Sequence, residues 1–229
     1  MIKAIIFDLD NTLIDFMKMK KASCEKAVDA MISVGLSLSK KKALKELYKI
    51  YYKEGLEDNL IFQKFLKKVT GEINYKKLAH AIVAYRKART GFLNPYPGTR
   101  KTLRKLQKKG LKLAIVTDAP KLKAWLRLVY MKLDDFFDVV VALEDTGARK
   151  PSELPFMAAL KQLKLRPDEC LMVGDNPKRD IKGAKNLGMK TCFAKYGCEA
   201  KKRVKADYVI ETIEELINII KEDVLFNQC

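Results

Sequence analysis

Short apolar runs alternate with longer amphipathic segments along most of the chain. The runs occupy residues 2–7, 112–116, 137–142, 170–173 and 189–194, with a shorter sixth run at residues 208–210. Amphipathic segments lie between them, at residues 99–109, 122–131, 154–163 and 179–187. Near-continuous apolar runs are typical of parallel strands buried on both faces, and apolar residues spaced by three and four are typical of helices. The alternation predicts an α/β fold built on a doubly wound parallel sheet.

The interval from Asp15 to Gly91 breaks this alternation. It contains no run that predicts a strand, its apolar residues recur at helical spacing, and glycines at positions 35, 55 and 71 divide it into about four helices. A turn-forming sequence, Asn94–Gly98, follows it. We therefore predict an α/β core domain of residues 1–14 and 93–229, with an all-helical domain of residues 15–92 inserted after the first strand.

The composition narrows the class of protein. The 229 residues are 48% hydrophobic, which excludes a disordered chain, and no stretch approaches the length of a membrane helix, about 18 apolar residues. The apolar run before Asp8 is too short for a signal peptide. No C-x-x-C pair occurs among the cysteines, which are Cys24, Cys170, Cys192, Cys198 and Cys229. We expect a cytoplasmic protein without a disulfide framework, a zinc site or a membrane partner.

The chain carries a formal net charge of +18. Such a charge is compatible with a nucleic-acid-binding surface, with attraction of anionic substrates, or with a basic composition common to the proteins of the source. Nine of the 46 basic residues are Arg, and the Lys residues are scattered through every helical segment. This dispersal favours solvated helix faces, so we expect no nucleic-acid partner.

Two acidic residues, Asp8 and Asp10, follow the first predicted strand. Because side chains alternate along a strand, both carboxylates point to the same side while Leu9 faces away. They share the carboxyl edge of the sheet, where open α/β sheets bind ligands. Two adjacent carboxylates are tolerable only with a cation between them or a proton on one of them. On this motif alone, a functional pair and an ordinary acidic turn are both acceptable interpretations.

Polar residues also follow three other predicted strands. Thr117 and Asp118 come after the second strand, where a hydroxyl and backbone N–H groups can bind phosphate oxygens, although a Thr here is also a common helix N-cap. Lys150 lies in a turn after the third strand, and Asp175 and Asp180 follow the fourth. Taken singly, Lys150 is typical of a solvated surface residue and Asp180 of an acid at a helix N-terminus. Together they predict complementary groups at one edge of the sheet.

The four motifs together resemble those of the haloacid dehalogenase superfamily, in the same order along the α/β core. The superfamily's motifs are D-x-D-x-[TV], a strand-ending Ser or Thr, a Lys before a helix, and G-D-x(3,4)-D. Here they correspond to Asp8–Thr12, Thr117, Lys150 and Gly174–Asp180. The helical insert resembles the cap domain of the first subclass, which includes phosphoglycolate-type phosphatases and haloacid dehalogenases. The resemblance implies a Rossmann-like core with a helical cap.

The resemblance also implies a phosphatase that forms a phosphoaspartate. Asp8 is then the nucleophile, and Asp10 is the general acid and base that protonates the leaving alkoxide and later deprotonates water. Mg²⁺ is then held by Asp8, by the backbone carbonyl of Asp10 and by Asp175. Dehalogenases of this superfamily lack the second acid of the first motif, so the presence of Asp10 favours phosphoryl transfer over dehalogenation.

A second group of residues is implied to bind the phosphoryl group. Thr117, Lys150 and the N–H groups around Asp118 are expected to stabilise its oxygens, with Asp180 in a supporting role. One departure from the pattern is Asn11, which stands where Gly is commonest.

Functions of two other classes stay open at this stage. A phosphoacceptor receiver domain uses a similar set of residues but has no use for a helical insert, and a nucleic-acid-binding protein with a degenerate core would account for the charge. A capped phosphatase suits small phosphorylated metabolites, such as glyceraldehyde 3-phosphate or phosphoglycolate, by analogy with the family. Candidates for substrate selection in the insert are Lys18, Lys20, Tyr85, Arg86 and Arg89. The sequence does not predict an oligomeric state.

Overall fold

The chain forms two compact units, which are described separately. The computed structural model describes residues 1–198 and 204–226. One unit is Met1–Asp15 together with Asn94–Cys229, and the other is Phe16–Leu93. Of the residues that the sequence singled out, Cys229 lies outside the described residues.

A parallel sheet is the centre of the first unit. Its strands are β1 (Ala4–Phe7), β2 (Lys112–Val116), β3 (Val139–Val141), β4 (Cys170–Gly174), β5 (Lys190–Ala194) and β6 (Tyr208–Ile210). Their order across the sheet is β3-β2-β1-β4-β5-β6, and every described pairing is parallel. The predicted α/β fold class is therefore confirmed, and the sixth apolar run is a strand.

Helices flank the sheet and build the insert. They are α1 (Phe16–Ser33), α2 (Lys40–Glu54), α3 (Ile61–Thr70), α4 (Tyr75–Phe92), α5 (Thr99–Lys108), α6 (Lys121–Tyr130), α7 (Leu143–Thr146), α8 (Glu153–Leu163), α9 (Lys182–Asn186) and α10 (Leu216–Phe226). None of the described helices combines the length and apolar composition needed to cross a membrane.

The two faces of the sheet are covered by different helices. Ala4 and Ile6 belong to one apolar cluster with Phe156 of α8, on the face that α8 and α9 cover. Ile5 and Phe7 alternate with them and are equally buried, on the face where α5 packs against β2 and against α10. A strand buried on both faces explains why β1 is apolar at every position.

The strand order reverses between β1 and β4. The chain runs from β1 outward through β2 to β3, and then crosses to β4 on the other side of β1. In doubly wound sheets the crevice at the carboxyl ends of such a pair is the usual ligand site. The predicted residues Asp8 and Asp175 follow β1 and β4 directly, and Thr117 follows β2.

The segment after β4 differs from its prediction. A helix was predicted over residues 179–187, but a π-helical turn, Pro177–Ile181, comes first and α9 follows it. The turn begins at Pro177, two residues before the predicted helix start. Asn176 caps it, because its side chain accepts hydrogen bonds from the backbone N–H groups of Lys178 and Arg179, both at 3.1 Å. The turn carries Asp180 inward, where it is completely buried.

The second unit is all-helical, as predicted for the insert. Helix α1 packs along α4, and α2 packs against both α1 and α3. Their shared core includes Met31, Leu47, Phe65 and Leu66. Gly71 ends α3 with φ of 83°, a left-handed conformation that a glycine adopts without steric cost.

Candidate active site

The Lys150 ammonium group lies at the centre of the predicted site. Nζ donates to Asp8 Oδ1 at 2.6 Å and to the backbone carbonyl of Val116 at 2.7 Å. Asp180 Oδ1 lies 2.8 Å away, in an ion pair that is not aligned as a hydrogen bond. The Lys150 and Asp180 side chains are each 1% exposed. Burial lowers the pKa of Lys150, but Asp180, Asp8 and Asp118 outweigh that effect and raise it above its usual value, so the group is a cation.

Three carboxylates surround this ammonium. Asp8, Asp175 and Asp180 are all buried and can bring one oxygen each within 4.8 Å of the others. Burial, then repulsion from Asp8 and Asp180, raises the pKa of Asp175 well above that of an ordinary carboxyl group. Burial likewise raises the pKa of Asp180, although Lys150 opposes it. With the nearby pair of Arg179 and Asp118 included, four carboxylates face two cations, which leaves a deficit of positive charge.

The donor set of the cluster fits a hard divalent cation. Asp175 Oδ1 is buried and has no hydrogen-bond partner among the described residues. Asp180 differs, because its Oδ2 accepts from the backbone N–H of Asn176 at 2.9 Å and its Oδ1 faces Lys150. Carboxylate oxygens are the ligands that Mg²⁺ prefers. Asp8 and Asp175 are thus better placed to bind a cation than Asp180, whose side chain is held by Lys150 and Asn176.

The loop after β1 is fixed from two directions. The Thr12 hydroxyl accepts a hydrogen bond from the backbone N–H of Asp175 at 3.2 Å, and the Thr12 carbonyl accepts one from the Tyr196 hydroxyl at 2.8 Å. Asn11 has φ of 61°, in the left-handed region. Asn tolerates this region better than most residues, which explains how it replaces the expected Gly. These contacts hold the loops that bear Asp8 and Asp175 together.

The end of β2 brings a hydroxyl and a second carboxylate to the same edge. Thr117 is buried, and its Oγ1 accepts a hydrogen bond from the backbone N–H of Ala119 at 3.2 Å, so that its proton can still be donated. Asp118 Oδ1 accepts from the backbone N–H of Lys150 at 2.9 Å, and its Oδ2 accepts from Arg179 at 3.1 Å. The Asp118 side chain therefore holds the Lys150 turn. The prediction that the backbone N–H groups around Asp118 bind phosphate is unaffected, because it does not involve this side chain.

Asp10 lies outside the carboxylate cluster. Its Oδ2 accepts a hydrogen bond from Arg127 Nη1 at 3.1 Å, and Arg127 belongs to the buried face of α6. Sequence reasoning missed Arg127. The available signal was its spacing, since it stands three residues after Ala124 and next to Leu128, at an apolar position of the helix.

The predicted residues thus fall into three groups. Lys150 contacts both Asp8 and Asp180, and Asp175 lies beside these two carboxylates. Asp118 joins this group through the Lys150 backbone, and Thr117 follows the strand whose Val116 carbonyl accepts from Lys150. The Asp10 side chain is directed to α6, and a role for its backbone carbonyl as a metal ligand stays a prediction.

Known proteins share this sequence pattern and fold. The family described as haloacid dehalogenase-like hydrolase matches residues 5–194. Over 226 residues the chain is 36% identical to the glyceraldehyde 3-phosphate phosphatase of Pyrococcus furiosus, covering 97% of this chain and 94% of that protein. It is 32% identical to the pyrophosphatase PpaX of Bacillus mycoides, with 96% and 97% covered. A solved haloacid dehalogenase-type phosphatase from Thermococcus onnurineus superposes with a TM-score of 0.70 and 29% identity, covering 96% of this chain and 98% of that one. A match over most of the sequence, together with the strand order and the four motifs, means that this chain belongs to the haloacid dehalogenase-like hydrolase family.

Proposed function

We propose that this protein is a Mg²⁺-dependent phosphatase that hydrolyses a small phosphorylated metabolite through a phosphoaspartate at Asp8. The observation that carries the proposal is the buried contact of 2.6 Å between Lys150 Nζ and Asp8 Oδ1, at the carboxyl end of β1 and next to Asp175. An ammonium group there orients the nucleophile and offsets the charge of an incoming phosphate. The Pyrococcus furiosus relative is a glyceraldehyde 3-phosphate phosphatase, which supports the same type of reaction here.

In the first step, an oxygen of Asp8 attacks phosphorus. The new bond joins that oxygen to phosphorus, the bond to the leaving oxygen breaks, and Asp10 supplies a proton to the leaving oxygen. Thr117 and Lys150 donate to the phosphoryl oxygens, whose charge grows as the leaving group departs. In the second step, Asp10 takes a proton from water, the water oxygen attacks phosphorus, and the Asp8 carboxylate is released.

The carboxylate cluster supports a role for Mg²⁺ in this reaction. We assign its ligands to Asp8, Asp175 and the backbone carbonyl of Asp10, with Asp180 holding Lys150 beside them. The bound ion would neutralise charge on the nucleophile and on the phosphate. The buried, unbonded oxygen of Asp175 is the feature of this chain that most favours such a ligand.

Glyceraldehyde 3-phosphate is the first substrate to test, on the strength of the Pyrococcus furiosus relative. In this proposal the helical unit is a cap that selects the leaving group. Two of its candidate residues are in contact, because the buried Lys20 ammonium donates to the Tyr85 hydroxyl at 3.0 Å and to the Leu56 carbonyl at 2.6 Å. The Bacillus mycoides relative makes pyrophosphate the second substrate to test.

The proposal is tested by measuring phosphate release from p-nitrophenyl phosphate, glyceraldehyde 3-phosphate, phosphoglycolate and pyrophosphate, with Mg²⁺ and with EDTA. Turnover is expected with Mg²⁺, loss of turnover in EDTA, and loss in Asp8→Asn. The matched control is Asp135→Asn, a change at an exposed aspartate, which should retain activity. Full activity in Asp8→Asn would exclude the mechanism. Halide release from a 2-haloacid without phosphate release would favour a dehalogenase instead.

A further inference from the structure

A buried arginine contacts the proposed acid and base of the reaction. Arg127 Nη1 donates to Asp10 Oδ2 at 3.1 Å, and the two side chains are 7% and 22% exposed. The contact spans 117 positions of sequence and joins α6 to the loop after β1, within the same unit. It places a fixed cation beside a residue that is expected to move protons.

The position of Arg127 is set by the packing of α6. Its neighbours on the same helix face, Ala124 and Leu128, are completely buried. The first turn of α6 is held by the backbone N–H of Lys121, which donates to Glu144 at 2.6 Å. A guanidinium group is planar and rigid, so its bond to Asp10 Oδ2 restricts where that oxygen can lie. The helix therefore contributes to the position of the Asp10 carboxylate.

The position of the Asp10 carboxylate matters because, in an in-line displacement, Asp8 and Asp10 act on opposite sides of the phosphorus atom. Asp8 must attack phosphorus from one side, while the proton donor must reach the oxygen that departs on the other side. Asp10 stands two residues from Asp8, whose cluster of three carboxylates is served by Lys150 and by the nearby Arg179. Without the bond to Arg127, the Asp10 carboxylate would be freer to turn toward Lys150. The bond to Arg127 directs it toward α6 instead.

We propose that Arg127 is a positioning residue that holds the Asp10 carboxylate where it exchanges a proton with the leaving oxygen. The inference rests on the proposed phosphatase function, and it adds a residue that the four motifs do not contain. Arg127 acts through Asp10 and is not assigned a contact with the substrate.

The test compares two esters that differ in how much they need a proton. p-Nitrophenyl phosphate and phenyl phosphate are similar in size, but phenolate is the poorer leaving group and depends more on proton transfer. General acid catalysis contributes about 10²–10⁴-fold to such a step. We expect Arg127→Met to lower kcat/KM for phenyl phosphate at least 10-fold more than for p-nitrophenyl phosphate. The loss should be smaller than the full contribution of general acid catalysis, because Asp10 is still present in this variant.

A double-mutant cycle separates positioning from a general structural role. If Arg127 acts through Asp10, Arg127→Met should add little to the loss already caused by Asp10→Asn, and Arg127→Lys should restore part of the activity. The matched control is Arg166→Met, because Arg166 is exposed and is also paired with an aspartate, Asp168. That variant should keep the wild-type ratio between the two esters.

The outcomes distinguish the two proposals. Equal losses on both esters, or additive losses in the cycle, would overturn the positioning role while leaving the phosphatase intact. If Arg127→Met does not fold, the ester ratio of Arg127→Gln, which removes the cation but keeps a polar side chain, decides in its place, and a ratio equal to the wild type would count against the inference. A wild-type protein that hydrolyses neither ester would overturn the proposed function and this inference together.

Discussion

Replacement of Lys150 by Met should destabilise the protein more than any exposed lysine replacement. The ammonium is buried, and its removal leaves Asp8 and Asp180 without their shared cation and the Val116 carbonyl without a donor. Met keeps the length of the side chain, so the loss is mainly electrostatic. Removing one partner of a buried ion pair costs about 3–5 kcal/mol. In a chain of this size, that corresponds to a fall in Tm of about 6–20 °C.

The measurement is the free energy of unfolding of Lys150→Met, from urea denaturation at pH 7 in EDTA. Lys161→Met is the control, since Lys161 is exposed on α8 and its loss should cost no more than about 0.5 kcal/mol. The double variant Lys150→Met/Asp180→Asn should be more stable than the sum of the single losses predicts, by about 0.5–3 kcal/mol. A loss below about 1 kcal/mol for Lys150→Met, or additive losses, would refute the electrostatic account of this network.

The loss should also depend on pH in a defined direction. Burial already raises the pKa of Asp180 above its unfolded value, and removal of Lys150 takes away the cation that opposes this. An acid whose pKa is raised on folding destabilises the fold once it is ionised, and this penalty disappears as the pH falls below the unfolded pKa of about 3.9. The difference in unfolding free energy between wild type and Lys150→Met should therefore be larger at pH 7 than at pH 4.

Three further predictions follow from local geometry. Gly197→Ala should lower kcat markedly, because a Cβ there would clash with the backbone carbonyl of Asn11 in the nucleophile loop. Gly91→Ala meets no atom within 4 Å and should leave activity unchanged. Asn11→Ala should cost about 1–2 kcal/mol in urea denaturation and Asn11→Gly much less, because the left-handed backbone strains alanine; equal costs would contradict this. Asp223→Asn should cost about 1–3 kcal/mol at pH 7. Burial opposes ionisation of Asp223, but Lys190 and a backbone N–H outweigh burial and lower the pKa of this carboxyl group. The contribution of Asp223 to the free energy of unfolding is therefore present above its unfolded pKa and is lost as the pH falls through its folded pKa. A cost of Asp223→Asn that is unchanged under acid would contradict that assignment.

The sheet could be predicted from sequence because each buried strand leaves a local signal. β1 and β4 are apolar at nearly every position and end at acidic residues, so both the strands and the position of Asp8 and Asp175 at one edge follow from the pattern. The prediction of the segment after β4 was less accurate. Asn176 starts a π-helical turn there, and nothing in the spacing of apolar residues distinguishes such a turn from an α-helix.

Contacts between distant segments could not be predicted in the same way. Lys150 contacts residues 142 and 34 positions away, and only the resemblance to a known family separated it from the other lysines. Arg127 lies in no motif, and its bond to Asp10 joins segments 117 positions apart, which no local sequence pattern connects. Asp180 was predicted in a supporting role, and its complete burial against Lys150 depends on the turn that carries it inward.

The central claim is that Asp8 carries the phosphoryl group during turnover, and peptide mapping of acid-quenched enzyme tests it directly. The enzyme would be mixed with p-nitrophenyl phosphate and Mg²⁺, quenched within the first turnover, digested and analysed by mass spectrometry. The account predicts one phosphoryl group on the wild-type peptide that contains Asp8, and none on the same peptide of Asp8→Asn. A phosphoryl group on a different residue, or turnover by Asp8→Asn at the wild-type rate, would contradict it.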